Sequence, residues 1–353
     1  MIFFPLFAAC TVTAAVVRQH QQVPMLEHVY EEDIERPSIA VHFTSSRAIP
    51  AARYSNGTIL DLETVEGDTE YIDLVSQWMA QNSRIGGRKV ERQDWCRAYP
   101  LYEECRSDGL RRRRSPKLQD PISRDTVILS KMLMQVRISI ETELAIPLTT
   151  VVPVFFELRQ NQTQVVRNAM DIVGLQFPRS SDSAGGHVLL DTNAAYAGFV
   201  SLSCKQSPEP EKCREKREKS DQTTLFVDFD NHSFSASAGT IRNEAESHSI
   251  GSRILSPELG WWDLPIFEIH RAKFWARMHE AILDVIGVLG GRPIDHIVLT
   301  GQHGADEEFI GVVEATLWSA LEMDTGSMLL SSHAADAGRL VARGAVELAW
   351  RRE

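Results

Sequence analysis

The feature that most limits what this chain can fold into is an order of elements that occurs twice. Hairpin-forming stretches come first, helix, strand and helix follow, and then the series starts again. In the first pass "SIAVHFTSS" at 38–46 reads as a strand. "IPAARYSNGTILDLE" at 49–63 reads as a hairpin turning at Asn56-Gly57, because both turn residues favour positive φ. Ile72, Leu74, Val75, Trp78 and Met79 recur at helical spacing over 69–81. A long amphipathic helix is expected at 123–145, a buried strand at 147–158, a helix at 159–176, and a short strand with a small-residue helix at 185–202. The charged stretch 204–222, with two prolines, reads as a linker. The second pass runs through a strand–turn–strand at 225–237, a helix over 264–291 ended by Gly290-Gly291, a strand at 295–301, a helix at 305–321, a short strand at 327–331 and a last helix at 334–350. No solenoid period is present. This order predicts an α/β protein of two related lobes, 36–203 and 223–353, with a cleft between them. A chain of 353 residues, 43% hydrophobic, can bury the core that such a fold requires.

A formal net charge of −11 argues against a nucleic-acid partner. Any anion site must then supply its own donors or a metal. Arg111, Arg112, Arg113 and Arg114 form a basic block that reads as a solvated loop, with a nuclear-import patch or a processing site as the sharper alternatives. Residues 2–17 are apolar but shorter than the ~20 residues of a spanning helix. With Thr13 and Ala15 as small residues, residues 1–22 read as a leader or anchor, and a membrane partner follows only if the run is retained. Cys96 with Cys105, and Cys204 with Cys213, each bracket a polar loop. Two local disulfides and four free thiols both fit this pattern, whereas zinc-ligand spacing is absent. Glycosylation triplets begin at Asn56, Asn161 and Asn231. Together these features favour a secretory route, with a cytoplasmic location as the alternative.

Four stretches in order, with a closing helix, resemble the ATPase domain of the heat-shock-70 chaperones in the actin/hexokinase superfamily. "VVPVFFELRQNQTQVVRNAMDIVGL" at 151–175 is similar to that family's V-P-A-x-F strand and A-x-x-A-G-L helix. "DTNAAYAGFV" at 191–200 is similar to its connecting helix. "LFVDFDNHSFSAS" resembles its second phosphate hairpin, "IDHIVLTGQHGADEEF" at 294–309 its adenosine motif, and "ARGAVELAW" its final helix. The resemblance implies a bilobal, duplicated ribonuclease-H-like fold with a central nucleotide cleft that takes ATP or ADP with magnesium. Matched position by position, Asp228 and Asp191 would serve as catalytic and metal-positioning acids. Thr44, Ser45 and Ser46 of the first hairpin would face the phosphates, as would Asn231, His232 and Ser233 of the second. Gly301, Gln302 and Gly304 would lie at the adenosine. Plain structural uses exist beside these: Asp228 closing a strand, Asp191 capping a helix, the glycines making turns, His42 packed on its strand.

The departures carry as much information as the matches. Asp230, Asn231 and His232 stand where the family's hairpin has glycines, which let backbone N–H groups approach a phosphate. A carboxylate about 5 Å from a phosphate costs roughly 3 kcal/mol at an effective dielectric near 20, about a hundredfold in affinity. A protonated His232, or Asp230 pointing outward, would relieve this. His42 replaces the acid of the first hairpin. The expectation is a nucleotide-binding domain with weakened ATP binding and impaired hydrolysis. The alternative is a pseudo-ATPase acting as a binding or regulatory scaffold, for a protein partner that the sequence does not identify. A sugar or acetate kinase would need a general-base aspartate facing a sugar pocket, and none stands out.

Overall fold

A computed structural model describes residues 36–83, 123–177, 188–205, 208–209, 211–213, 221–241, 249–322 and 337–351. The leader, the basic block at 111–114, Cys96 with Cys105, and the strand expected at 327–331 lie outside the described residues. Among the described residues the chain is mixed α/β, with two mixed sheets.

The first sheet contains β1 (Ser38–Phe43), β2 (Arg47–Arg53), β3 (Ile59–Asp61), β4 (Val65–Glu66), β5 (Val152–Phe155) and β6 (Leu189–Leu190). Its order is β3-β2-β1-β5-β6, with β4 paired to β2. The β1–β2–β3 meander is antiparallel, whereas β5 and β6 add in parallel beside β1. The second sheet has β7 (Gln222–Asp230), β8 (Ser233–Ile241), β9 (Ser249–Ser256) and β10 (His296–Thr300), in the order β10-β7-β8-β9. Here too an antiparallel meander, β7–β8–β9, is joined by a parallel strand, β10, beside the first strand of the meander.

Helices α1 (Thr69–Asn82), α2 (Arg124–Leu144) and α3 (Gln160–Ile172) cover one face of the first sheet. Asp68 and Ser123 fix the starts of α1 and α2 by accepting backbone N–H bonds, as capping residues do. Their apolar stripes, Tyr71, Leu74 and Trp78 with Leu129, Leu133 and Val136, meet Val41, Phe43 and Phe155. The Phe43 and Phe155 rings stack at 4.7 Å. In the second sheet, Leu225, Val227 and Phe229 pack against α5 (Glu268–Gly287) and α6 (Glu307–Leu321). Between the sheets lie α4 (Asp191–Lys205) and α7 (Leu340–Trp350), touching Ala40 and Val154 on one side and Phe226 and Val298 on the other.

The two-residue period of a strand therefore divides β1 and β7 between different environments. Val41 and Phe43 face the outer helices, while Ala40 and His42 face the middle. On β7, Phe226 and Asp228 likewise turn inward. The middle layer is held by close approach of two helices. A Cβ on Gly344 would stand 1.8 Å from the Ala194 carbonyl oxygen, and one on Gly198 would stand 2.4 Å from that of Leu340. The last helix is near the second sheet in sequence, yet it also packs on α4, β1 and β2.

Several expected boundaries shift. The helix foreseen over 264–291 begins at Glu268, after a 3-10 turn at Trp261–Asp263, because Pro265 favours extended backbone before it. Strand β9 was not foreseen. Its polar sequence, SIGSRILS, shows little apolar alternation.

Candidate functional site

The inward faces of β1 and β7 close on a shared cavity between the sheets. His42, Thr44 and Ser45 line it from the first sheet, and Asp191 and Thr192 from the start of α4. Asp228, Ser233, Ser235, Ser237 and Thr300 line it from the second sheet, with Phe156, Phe226 and Leu255 supplying apolar walls. About 40 Å³ is open to water centres, room for roughly three waters.

The first turn is fixed locally. Thr44 Oγ1 accepts the N–H groups of Ser46 and Arg47 at 3.3 and 3.2 Å, and the Tyr71 hydroxyl donates to the Thr44 carbonyl at 2.8 Å. The two turns then touch each other. The Ser45 and Ser233 hydroxyls are hydrogen-bonded at 2.8 Å. Arg47 Nη2 meets Asp230 Oδ1 at 2.7 Å, with both side chains buried. Arg47 Nη1 also donates to Gln302 Oε1, which accepts from Asn231 Nδ2 at 3.0 Å. Asn231 Oδ1 pairs with His303 Nε2 at 2.8 Å, so His303 carries its proton on Nε2 in this arrangement. The His303 ring stacks on Trp261 at 4.2 Å, and the backbone N–H of His303 donates to the Phe229 carbonyl at 2.9 Å. Gly301 makes this loop feasible: its φ is +88°, and a Cβ would meet Phe229 backbone at 2.3 Å.

Two further acids line the cavity itself and are half-buried. Thr300 donates to Asp228 at 2.9 Å. Burial, and then the charge of Asp230, push the Asp228 carboxyl up to about 7. Asp191 accepts from the Thr192 N–H at 2.6 Å and pairs with Arg253 of β9 at 3.2 Å. Burial raises its pKa, partly offset by Arg253. Burial also pushes His42 down to about 4, and its Nδ1 has no hydrogen-bond partner. His42 is thus a neutral, packed histidine near neutral pH.

Of the residues foreseen, Asp228, Asp191, Thr44, Ser45 and Ser233 line the cavity. Asn231 and Gln302 join the network above it, and Gly301 positions that network. Gly304 holds the same loop, where a Cβ would stand 2.5 Å from the Thr300 carbonyl oxygen. Ser46 is buried, its hydroxyl unpartnered. His232 does not join them. It is half-buried beside Trp262 at 6.5 Å, and Gly260 packs on its backbone. Nor does Asp230 point outward or depend on His232: it is buried, and Arg47 neutralises it. Sequence reading missed Arg47, Arg253, His303 and Trp261. An inward-turned carboxylate at Asp230 calls for a cation, but nothing in the sequence singles out Arg47 as that cation.

Magnesium–nucleotide is a poor fit to this arrangement. A phosphate oxygen bonded to both serine hydroxyls would hold them about 4–5 Å apart, since each O–H···O bond is about 2.7 Å long. They are 2.8 Å apart, and Asp230 turns negative charge inward. Among the described residues no three His, Cys, Asp or Glu side chains are grouped to hold a metal ion. No family model matches the chain, and no curated protein matches its sequence.

Proposed function

We propose that the chain is a divergent member of the actin/heat-shock-70 superfamily, with a duplicated ribonuclease-H-like fold that serves as a non-hydrolysing scaffold. Support for the fold comes from the two sheets, each an antiparallel meander extended in parallel beside its first strand. Further support comes from the two small-residue helices that cross between the sheets, at the positions the sequence resemblance assigns to the family's connecting and final helices. The observation that carries the functional reading is the latch across the cavity. The turns that would grip a triphosphate grip each other instead, through Ser45–Ser233 and Arg47–Asp230. An internal carboxylate takes the anion's place against Arg47. Asp228 and Asp191 remain as half-buried acids held by Thr300 and Arg253, and no reaction step is assigned to them.

Isothermal titration calorimetry of the full chain with ATP and magnesium tests this reading. The expected result is no binding heat at millimolar nucleotide. Replacing Asp230, Asn231 and His232 by glycine frees Arg47 and reopens the turn, and binding should then appear. Tight binding by the unaltered protein, or hydrolysis abolished by Asp228→Asn, would overturn the scaffold reading.

A further inference from the structure

The three glycosylation triplets occupy very different places. Asn231 spends both ends of its amide inside the latch, on Gln302 and His303. A sugar on its Nδ2 would break that network. Asn161 is exposed in the first turn of α3, where the Thr163 hydroxyl donates to the Arg159 carbonyl at 3.2 Å. Asn56 is exposed at the tip of the β2–β3 hairpin. There the Tyr54 N–H donates to the Thr58 carbonyl at 3.0 Å, and the Gly57 N–H to the Tyr54 carbonyl at 3.0 Å. Gly57 has a φ of +83°, and nothing lies within 4 Å of where its Cβ would be. Asn56 Oδ1 accepts the Thr58 N–H at 2.8 Å, which occupies Oδ1 and not Nδ2, the atom a sugar would take. Half-buried Tyr54 stands two positions before Asn56, at the residue that closes the turn. Because β2 runs away from the turn at Thr44, its seven residues put Asn56 at the opposite end of the strand from the cavity, on the order of 20 Å away. A separate observation bears on compartment: Cys204 and Cys213 form a disulfide, the mark of an oxidising environment.

We propose that Asn56 carries an N-linked oligosaccharide whose first sugar lies against the Tyr54 ring, and that Asn231 stays unmodified. The donor is a lipid-diphosphate-linked oligosaccharide. Asn56 Nδ2 forms a bond to the anomeric carbon, and the carbon–oxygen bond to the diphosphate breaks with its electron pair. The amide loses one proton to a base, and the lipid diphosphate leaves. The sugar's apolar C–H face and the aromatic face together shed water, so the glycan stabilises the hairpin as well as marking it.

The test uses the full-length protein purified from eukaryotic cells. Enzymatic release of N-glycans in ¹⁸O-water, followed by peptide mass mapping, is expected to label position 56 as aspartate and to leave 231 as asparagine. Asn56→Gln should remove the label at 56. Deglycosylation should lower Tm by ~2 °C, a shift that persists in Tyr54→Phe and vanishes in Tyr54→Ala. An unlabelled position 56, or a labelled 231, overturns the assignment. A shift of equal size in Tyr54→Ala overturns the stacking. These readouts are independent of whether the cavity takes nucleotide.

Discussion

Asp230 illustrates how a single residue can be conspicuous in sequence and explained only in space. Its carboxylate is buried, and one oxygen is held by Arg47 while the other has no hydrogen-bond partner. Removing one member of a buried ion pair strands the other, which typically costs about 3–5 kcal/mol. Arg47→Ala is therefore expected to lose that much stability in urea denaturation. The apolar double replacement Arg47→Met with Asp230→Leu should lose less than either single change, because no charge is left stranded. A cost under about 1 kcal/mol for Arg47→Ala, typical of an exposed pair, would show that the pair is not buried in solution. Residues 230–232 were legible as a departure from a glycine turn. Arg47 was not, since it lies 183 positions away and opens a strand.

At the scale of elements, hydrophobic period read most of the fold. The strands β1 and β10 and the helices α2, α3, α5 and α6 fall inside their expected spans, α1 runs one residue past its own to Asn82, and β7 starts at Gln222, three residues before the expected strand and at the end of the expected linker. The failures have physical causes. β9 pairs with β8 and buries the adjacent Ile254 and Leu255 in different clusters, so both of its faces are covered and no alternation marks it in sequence. The small residues of α4 and α7 had a reason that sequence alone could not supply: two backbones must pass in contact at Gly198 and Gly344. Gly344→Ala should force these helices apart and cost at least about 1–3 kcal/mol, as overpacking does. Gly287→Ala, where nothing lies within 4 Å of the added Cβ, is the matched control in a helix and should be neutral or slightly stabilising. Both are read by chemical denaturation. Equal effects of the two would argue against close packing in the middle layer.

For the molecule as a whole, Asp228 and His42 make stability depend on pH in opposing ways. The Asp228 carboxyl is raised from 3.8 to about 7, so between these values the folded chain keeps a proton that the unfolded chain has released. Its contribution to stability falls as pH rises through that window. His42 is lowered from 6.5 to about 4, so the unfolded chain binds the extra proton there. Its contribution falls as pH drops through that range. The two trends offset each other in the intact protein. Asp228→Asn removes one, and the stability of this variant relative to the parent should climb from about pH 4 to about pH 7 and then level. A difference that stays flat with pH, measured by denaturation in matched buffers, would show that Asp228 does not titrate above the ordinary carboxylate range.

What the sequence determined by itself was everything local. Period-two and helical patterning set the elements, Asn56-Gly57 and Gly290-Gly291 marked where the chain turns or stops, and the cluster at 230–232 marked a hairpin without its glycines. These are read within one or two turns of backbone, where neighbours in sequence are also neighbours in space. Tertiary structure alone decided that α7 returns to pack beside β1 and that Arg47 faces Asp230. It also settled Cys204 and Cys213 as a disulfide rather than free thiols, and closed the two turns on each other through Ser45 and Ser233. Contacts of this kind join positions whose separation along the chain carries no periodic signal, and their free energy depends on burial that exists only once both sheets have formed.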